Sequence, residues 1–199
     1  MLAFLFFGAA KQAHAADLYT YSFNSGMNCY GEWQLPDSST GTIKYSTATG
    51  DDSNYNPAAT HPSYTLFSPV GSSSVTVDNI TGLMWVTNPS DAGMGATYNW
   101  QNALAACETT IGGAGTYATY SDWRLPNVRE LMSIVDYGVC SQPHINMTFF
   151  FGTSAAVYWT STTYAAGSTG AWEVDFSDGS VNYYGKSTSQ LVRCVRGGS

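Results

Sequence analysis

Few residues in this 199-residue chain could support catalysis or bind a metal. His61 and His144 lie in predicted loops, and neither has the strand-turn-helix context of a nucleophile elbow. Glu130 could act as a general acid, but it lies three residues after Asn127, where a helix-capping glutamate is expected. The remaining candidates are the four cysteines, Cys29, Cys107, Cys140 and Cys194. They form no CxxC pair and have no histidine at a zinc-like spacing, so we predict neither a catalytic set nor a zinc site.

Calcium is a second kind of chemistry to consider. The stretch 51–57 places Asp or Asn at alternate positions, as at the start of a calcium loop, but it lacks the glycine and the closing glutamate of that motif. Glu173, Asp175 and Asp178 offer carboxylates close together, although Glu173 and Asp175 also fit the solvent face of a strand. We therefore predict no required cofactor and leave calcium open as a ligand.

The best-defined local element is the stretch 122–131. Pro126 ends a strand-like segment because it cannot continue a hydrogen-bonded ladder. Asn127 can cap the helix that follows, and the Glu130 side chain can reach back to the cap amide. Apolar residues then recur at helical spacing, namely Val128, Leu131, Met132 and Val135.

The remaining elements are predicted from periodicity and turn residues. Alternating residues from Val75 to Val86 predict a hairpin, and a helix capped by Thr97 or Asn99 and stopped by 112–113 follows it. Its apolar face contains Trp100, Ala103, Leu104 and Cys107. Further strands are predicted at 157–161, 171–176, 181–184 and 191–196, with a hairpin turn at 178–179. These elements predict an α+β domain with two helices packed on a small, mainly antiparallel sheet with long loops.

Composition and the amino-terminal residues predict export. Residues 1–15 contain a short apolar run followed by a small-x-small cleavage site, and this combination indicates a signal peptide. The apolar run is too short to anchor the chain in a membrane. A loop-rich extension (16–70) and the domain (71–199) follow. An even number of cysteines in an exported chain predicts two disulfides. The net charge of -7 argues against nucleic acid as a partner.

The region between Thr162 and Gln190 has the composition of binding loops. It is rich in Tyr, Ser, Thr, Gly and Asn, in which tyrosine supplies contact area and the small polar residues supply adaptable hydrogen bonds. The predicted ligand-binding residues are Tyr164, Trp172, Glu173, Asp175, Asn182, Tyr183 and Tyr184. The alternative is that these are ordinary loops and that Trp172 belongs to the core with Val174 and Phe176.

Several separated segments share one order with a known family. They are Thr81-Gly82-Leu83-Met84-Trp85, the helix containing Trp100 and Cys107, Asp122-Trp123-Arg124-Leu125-Pro126-Asn127 with Glu130-Leu131, Tyr158-Trp159-Thr160-Ser161, Val174-Asp175-Phe176 with Gly179, and Val192-Arg193-Cys194-Val195-Arg196. In these residues the chain resembles the Lcl C-terminal domain family. The resemblance implies a C-type-lectin-like fold, related in architecture to formylglycine-generating enzymes. It also implies a disulfide from Cys107 to Cys194, which leaves Cys29 to pair with Cys140.

The resemblance also sets the functional expectation. Family members with an assigned role are surface adhesins, so we expect a secreted or cell-surface, non-enzymatic module that binds a glycan or protein. A structural subunit of an extracellular assembly is the alternative. An enzyme is a third reading, because formylglycine-generating relatives use reactive, copper-binding cysteines, and it would require Cys107 or Cys194 to be free.

Overall fold

The computed structural model describes residues 63–70, 73–111, 117–137, 139 and 141–197. The predicted signal peptide (1–15), the stretch 51–57, Cys29 and Cys140 lie outside the described residues. The predictions made for them, including the Cys29–Cys140 disulfide, stay predictions.

The described residues form a mixed α+β domain with two antiparallel sheets. The strands are β1 (Tyr64–Val70), β2 (Ser73–Asp78), β3 (Met84–Val86), β4 (Val157–Thr163), β5 (Gly170–Asp175), β6 (Val181–Gly185) and β7 (Val195–Arg196). The helices are α1 (Trp100–Ala105), which continues as a π-helical segment (Ala106–Ile111), a 3₁₀ turn (Tyr117–Thr119) and α2 (Val128–Met132). The strand order is β1-β2-β3-β7 in one sheet and β4-β5-β6 in the other. The α+β class is confirmed, with two sheets where the sequence predicted one.

The predicted first hairpin is confirmed as β2 and β3. Val75 lies opposite Val86, and the Asp78 carboxylate fixes the turn by accepting hydrogen bonds from the main-chain N–H of Ile80 and the hydroxyl of Thr81. The strand β1 lies in the part of the chain predicted to be loop-rich, and it pairs with β2 at the edge of this sheet.

Helix α1 and its π-helical continuation place a cysteine in the core, as predicted. Asn99 is its cap, because the side-chain oxygen of Asn99 accepts a hydrogen bond from the N–H of Asn102 at 2.9 Å. Cys107 is fully buried and forms a disulfide with Cys194, with 5.6 Å between their Cα atoms. The Cys107–Cys194 pairing implied by the family resemblance is therefore confirmed.

Helix α2 has the predicted capping box. The Asn127 side chain accepts from the N–H of Glu130 at 2.9 Å, and the Glu130 carboxylate accepts from the N–H of Asn127 at 2.8 Å. The same carboxylate binds both terminal nitrogens of Arg124, at 2.8 and 2.6 Å. The predicted apolar face is wrong at one position, since Met132 is exposed. The helix is only five residues long, and Val135 lies beyond its end.

The terminal segment 191–196 runs through the core and is less regular than predicted. Only Val195 and Arg196 form a strand, because the main chain of this segment bonds in turn to β4, β3 and Arg124. Arg193 is fully buried and donates to the main-chain carbonyls of Val86 and Thr87. Burial lowers the pKa of Arg193 to about 10.

Candidate functional site

The sheet β4-β5-β6 carries the predicted ligand-binding residues. Its β5-β6 hairpin turns at Asp178-Gly179, as predicted, where Gly179 has the positive φ of 77° that such a turn requires. Trp172 lies opposite Tyr183, Glu173 opposite Asn182, and Ala171 opposite Tyr184. Because successive side chains on a strand alternate between faces, Trp172 and Tyr183 share one face, and the other two pairs share the opposite face.

Three of the predicted residues, Tyr164, Trp172 and Tyr183, form a cluster that we call the aromatic patch. The rings of Tyr164 and Tyr183 are stacked, with 3.8 Å between centroids and 4° between planes. The Trp172 ring is steeply inclined to both, with centroids 5.6 Å from Tyr164 and 5.9 Å from Tyr183. Since Trp172 is almost equally distant from the two stacked rings, it lies beside the stack and leaves the outer face of Tyr183 uncovered by either ring.

Main-chain bonds and glycines hold Tyr164 in this stack. Tyr164 follows β4, and its N–H donates to the carbonyl of Gly170 at 3.0 Å. A Cβ atom at position 170 would lie 3.5 Å from the Cβ of Tyr164 and 3.4 Å from the carbonyl oxygen of Tyr184. Those are ordinary van der Waals distances, so a methyl group would fit at position 170, and a larger side chain would need space beyond these neighbours.

The aromatic patch is open to solvent and uncharged at neutral pH. Tyr183 is 51% exposed, whereas Tyr164 and Trp172 are half-buried. A hydrogen bond with the Tyr183 side chain raises the pKa of Tyr164 above its ordinary value of 10.0. The Tyr164 hydroxyl therefore remains protonated, and the patch presents ring faces together with phenol hydroxyls.

The opposite face of the sheet holds a different set of predicted residues. Tyr184 is 56% exposed and Asn182 is exposed, and both side chains lie on the face opposite the aromatic patch. Glu173 also fitted the solvent face of a strand in the sequence, but in the structure it is only 6% exposed. The part of this face around Glu173 is covered because Trp159, which lies opposite Glu173 on β4, packs into the core cluster around the disulfide. Burial raises the pKa of Glu173, while a hydrogen bond from Gln190 at 3.2 Å acts in the other direction.

The remaining two carboxylates shape the hairpin turn. Asp175 accepts a hydrogen bond from the N–H of Ser177, and Asp178 accepts one from the N–H of Ser180, each at 2.8 Å. Hydrogen bonds from the side chain and from the N–H of Ser180 lower the pKa of Asp178. In the part of the chain that the structure describes, no three His, Cys, Asp or Glu side chains are grouped to hold a metal ion.

One contact of this sheet, made by Lys186 at the end of β6, was not predicted from the sequence. The Nζ atom of Lys186 lies 3.9 Å from the Trp100 ring centroid and 2.9 Å from the Thr163 hydroxyl. The main-chain carbonyl of Lys186 accepts from the N–H of Trp100, which joins β6 to the start of α1. Lys186 is the only basic residue between Thr162 and Gln190, and this was the feature of the sequence that could have pointed to a specific contact of its side chain.

Comparison with known proteins identifies the domain. No helix within the described ranges is long and apolar enough to cross a membrane. No curated protein matches the chain. Residues 74–196, which include both sheets except β1 and the first residue of β2, match the Lcl C-terminal domain, and the chain therefore belongs to that family.

Proposed function

We propose that this protein is an exported, non-enzymatic binding module that recognises a glycan through the aromatic patch. The observation that carries the proposal is the exposed Tyr183 ring, held by stacking on Tyr164 and flanked by Trp172. A preformed ring face binds without the entropic cost of ordering a flexible side chain.

The chemistry of the aromatic patch favours a sugar over a charged ligand. A pyranose presents a face of C–H groups that packs against an aromatic ring, and its hydroxyls can bond to phenol groups at the edge of the patch. The patch contains no charged side chain, and the net charge of -7 works against polyanionic ligands. We therefore expect a neutral oligosaccharide, with a protein ligand as the outcome if glycans fail to bind.

Two features support export and a C-type-lectin-like fold. A disulfide joins Cys107 to Cys194, and disulfides persist in oxidising compartments outside the cytoplasm. The predicted signal peptide agrees with that location. The α+β arrangement, with its first helix tied to the terminal segment, is the one that the family resemblance leads us to expect.

The disulfide also supports a non-enzymatic assignment. The copper-dependent chemistry of formylglycine-generating relatives needs reactive thiols, and the sulfurs of Cys107 and Cys194 are bonded to each other and buried. Glu130, the candidate general acid, is occupied by the helix cap and by Arg124.

A glycan array tests the proposal most directly. The full chain is screened on neutral and acidic glycans with and without a chelator, and hits are measured by calorimetry. We expect Tyr183→Ala to weaken binding by about 30-fold or more, as for a central aromatic contact residue. Tyr184→Ala is the matched control, because it removes an equally exposed tyrosine from the other face of the same strand. Equal losses in the two variants, or none in Tyr183→Ala, would refute the proposed site.

A further inference from the structure

Tyr164 and Tyr183 form the one contact between two tyrosine rings among the described residues. Their ring centroids are 3.8 Å apart and their planes differ by 4°. The Tyr183 side chain also hydrogen-bonds to that of Tyr164, so the two phenol hydroxyls lie at the same end of the stack. The ring carbons next to the hydroxyls, the Cε atoms, therefore face each other across the stack.

The same pair is accessible from solvent. About half of Tyr183 is exposed, and Tyr164 is half-buried. Tyr158 is fully buried with its ring against Phe176. Tyr184 is as exposed as Tyr183, but its side chain lies on the opposite face of β6. In the part of the chain that the structure describes, only Tyr164 and Tyr183 thus combine exposure with a stacked tyrosine neighbour.

We propose that Tyr164 and Tyr183 are an oxidation site at which a dityrosine cross-link forms within one chain. The oxidant that this reaction needs is hydrogen peroxide, used by a haem peroxidase. Each ring loses one electron together with its hydroxyl proton, and the two phenoxyl radicals join through a bond between Cε atoms. The hydrogen on each bonded Cε then moves to the phenol oxygen of the same ring, which regains its aromaticity. In total the pair loses two electrons and two protons, and one hydrogen peroxide is reduced to two water molecules.

The stacked arrangement favours this bond. The unpaired electron of a phenoxyl ring lies in its π system, so two such rings join along the direction perpendicular to their planes. Stacking aligns the Cε atoms of Tyr164 and Tyr183 in that direction before oxidation, and little reorganisation is needed to join them. For a protein at about 10 μM, an effective concentration in the millimolar range favours coupling within one chain over coupling between chains by about 100-fold.

The cross-link joins the residue after β4 to β6. Its ends are 19 residues apart in the sequence, so it restricts the unfolded chain and should raise the urea concentration at the midpoint of unfolding. Glycan binding is not needed for this reaction, because coupling uses the ring faces that touch each other, whereas the proposed ligand packs on the outer face of Tyr183. A chain that binds no glycan is therefore still expected to cross-link.

Peroxidase treatment of the full chain at low concentration tests the cross-link. We expect the monomer fraction to show dityrosine fluorescence and a mass lower by two hydrogen atoms. After disulfide reduction, cleavage at glutamates places Tyr164 in the peptide 131–173 and Tyr183 in the peptide 174–199, so these two peptides should be recovered joined. A parallel sample containing free tyrosine shows that the oxidant is active.

Phenylalanine variants identify the two residues, because phenylalanine keeps the ring but cannot form a phenoxyl radical. Tyr164→Phe and Tyr183→Phe should each lower the yield of joined peptides about tenfold or more, since any remaining coupling loses the stacked partner. Tyr184→Phe, the matched control, should cross-link as the wild type does. Joined peptides at the wild-type yield in Tyr183→Phe, or their loss in Tyr184→Phe, would overturn the proposal. So would a wild-type monomer that stays unlinked, or couples only between chains, while free tyrosine reacts.

Discussion

Two short segments near the carboxyl end differ sharply in how their side chains are used. The strand β6 (Val181–Gly185) has no fully buried residue, whereas Val192 to Val195 in the segment 191–196 are all fully buried. Both segments are rich in apolar or aromatic residues, so composition alone does not separate them. The segment 191–196 contains motif residues by which the family is recognised, and β6 contains residues of the aromatic patch.

The contacts of the terminal segment explain this difference. Cys194 is bonded to Cys107 in the π-helical segment, Val195 exchanges main-chain hydrogen bonds with Arg124, and Arg196 binds Asp122 at 2.7 Å. Its side chains thus hold elements from distant parts of the sequence together. This part of the family motif therefore stabilises the fold, whereas most side chains of β6 are exposed.

Removing the disulfide should have the largest effect. Cys107→Ala with Cys194→Ala frees a loop whose ends are 87 residues apart, which in the chain-entropy account costs about 4–5 kcal/mol of unfolding free energy. Urea unfolding followed by tryptophan fluorescence measures this loss. Tyr184→Ala in β6 serves as the comparison and should change stability by less than about 0.5 kcal/mol. Similar losses in both variants would remove the distinction between the two segments.

Arg193→Met should have the next largest effect. Methionine retains much of the buried volume, but it leaves the carbonyls of Val86 and Thr87 and the hydroxyl of Thr153 without the donors they now have. Unsatisfied buried acceptors cost about 1–3 kcal/mol each when they cannot reach water, so we expect a loss of about 3 kcal/mol. Arg193→Lys keeps one donor group and should lose less. A methionine variant as stable as the wild type would show that hydrophobic packing alone suffices here.

Glu130→Gln tests the link between the terminal segment and α2. Glutamine can still accept from the Asn127 N–H, but it loses the charge-assisted pair with Arg124, which bonds to Val195 through its main chain. We expect a loss of about 1–2 kcal/mol in urea unfolding. Arg129→Gln on the exposed side of the same helix is the control and should be nearly neutral. A loss that is equal in the two variants would mean that the pair with Arg124 adds nothing.

Local features were predictable from the sequence, and contacts between distant segments were not. The spacing of Asn127 and Glu130 determines a capping box by itself, and Asp178-Gly179 determines a hairpin turn. The Cys107–Cys194 pairing came from the family resemblance. The composition of residues 162–190 indicated binding loops, but it did not indicate that Tyr164 would stack on Tyr183, which is 19 residues further along the sequence.

Glu173 shows the limit of alternation as a predictor. The pattern correctly assigned Val174 and Phe176 to a buried face, and Glu173 does lie on the opposite one. Alternation cannot tell whether that second face is covered, because the covering residues come from elsewhere in the chain. Here Trp159 on β4 and Gln190 cover the second face at Glu173.

Glu173→Gln should have the smallest effect, and its sign depends on pH. Burial raises the pKa of Glu173 above its ordinary value of 4.5, so the folded state binds this proton more readily than the unfolded state. Stability from this group is therefore fully present below pH 4.5 and is lost as the pH rises through the folded-state pKa. Glutamine retains an acceptor for the Gln190 amide and carries no charge.

The quantity to measure is the difference in unfolding free energy between Glu173→Gln and the wild type across pH 4 to 8. Asp122 and Asp178 have lowered pKa values, so they lose stability as the pH falls, and taking the difference cancels their contribution. We expect a difference near zero at the acid end that grows in favour of the variant toward neutral pH. A difference that does not change with pH would mean that the Glu173 carboxylate is as well solvated as the side chains of β6. The covering of Glu173 by Trp159 and Gln190 would then have no energetic consequence.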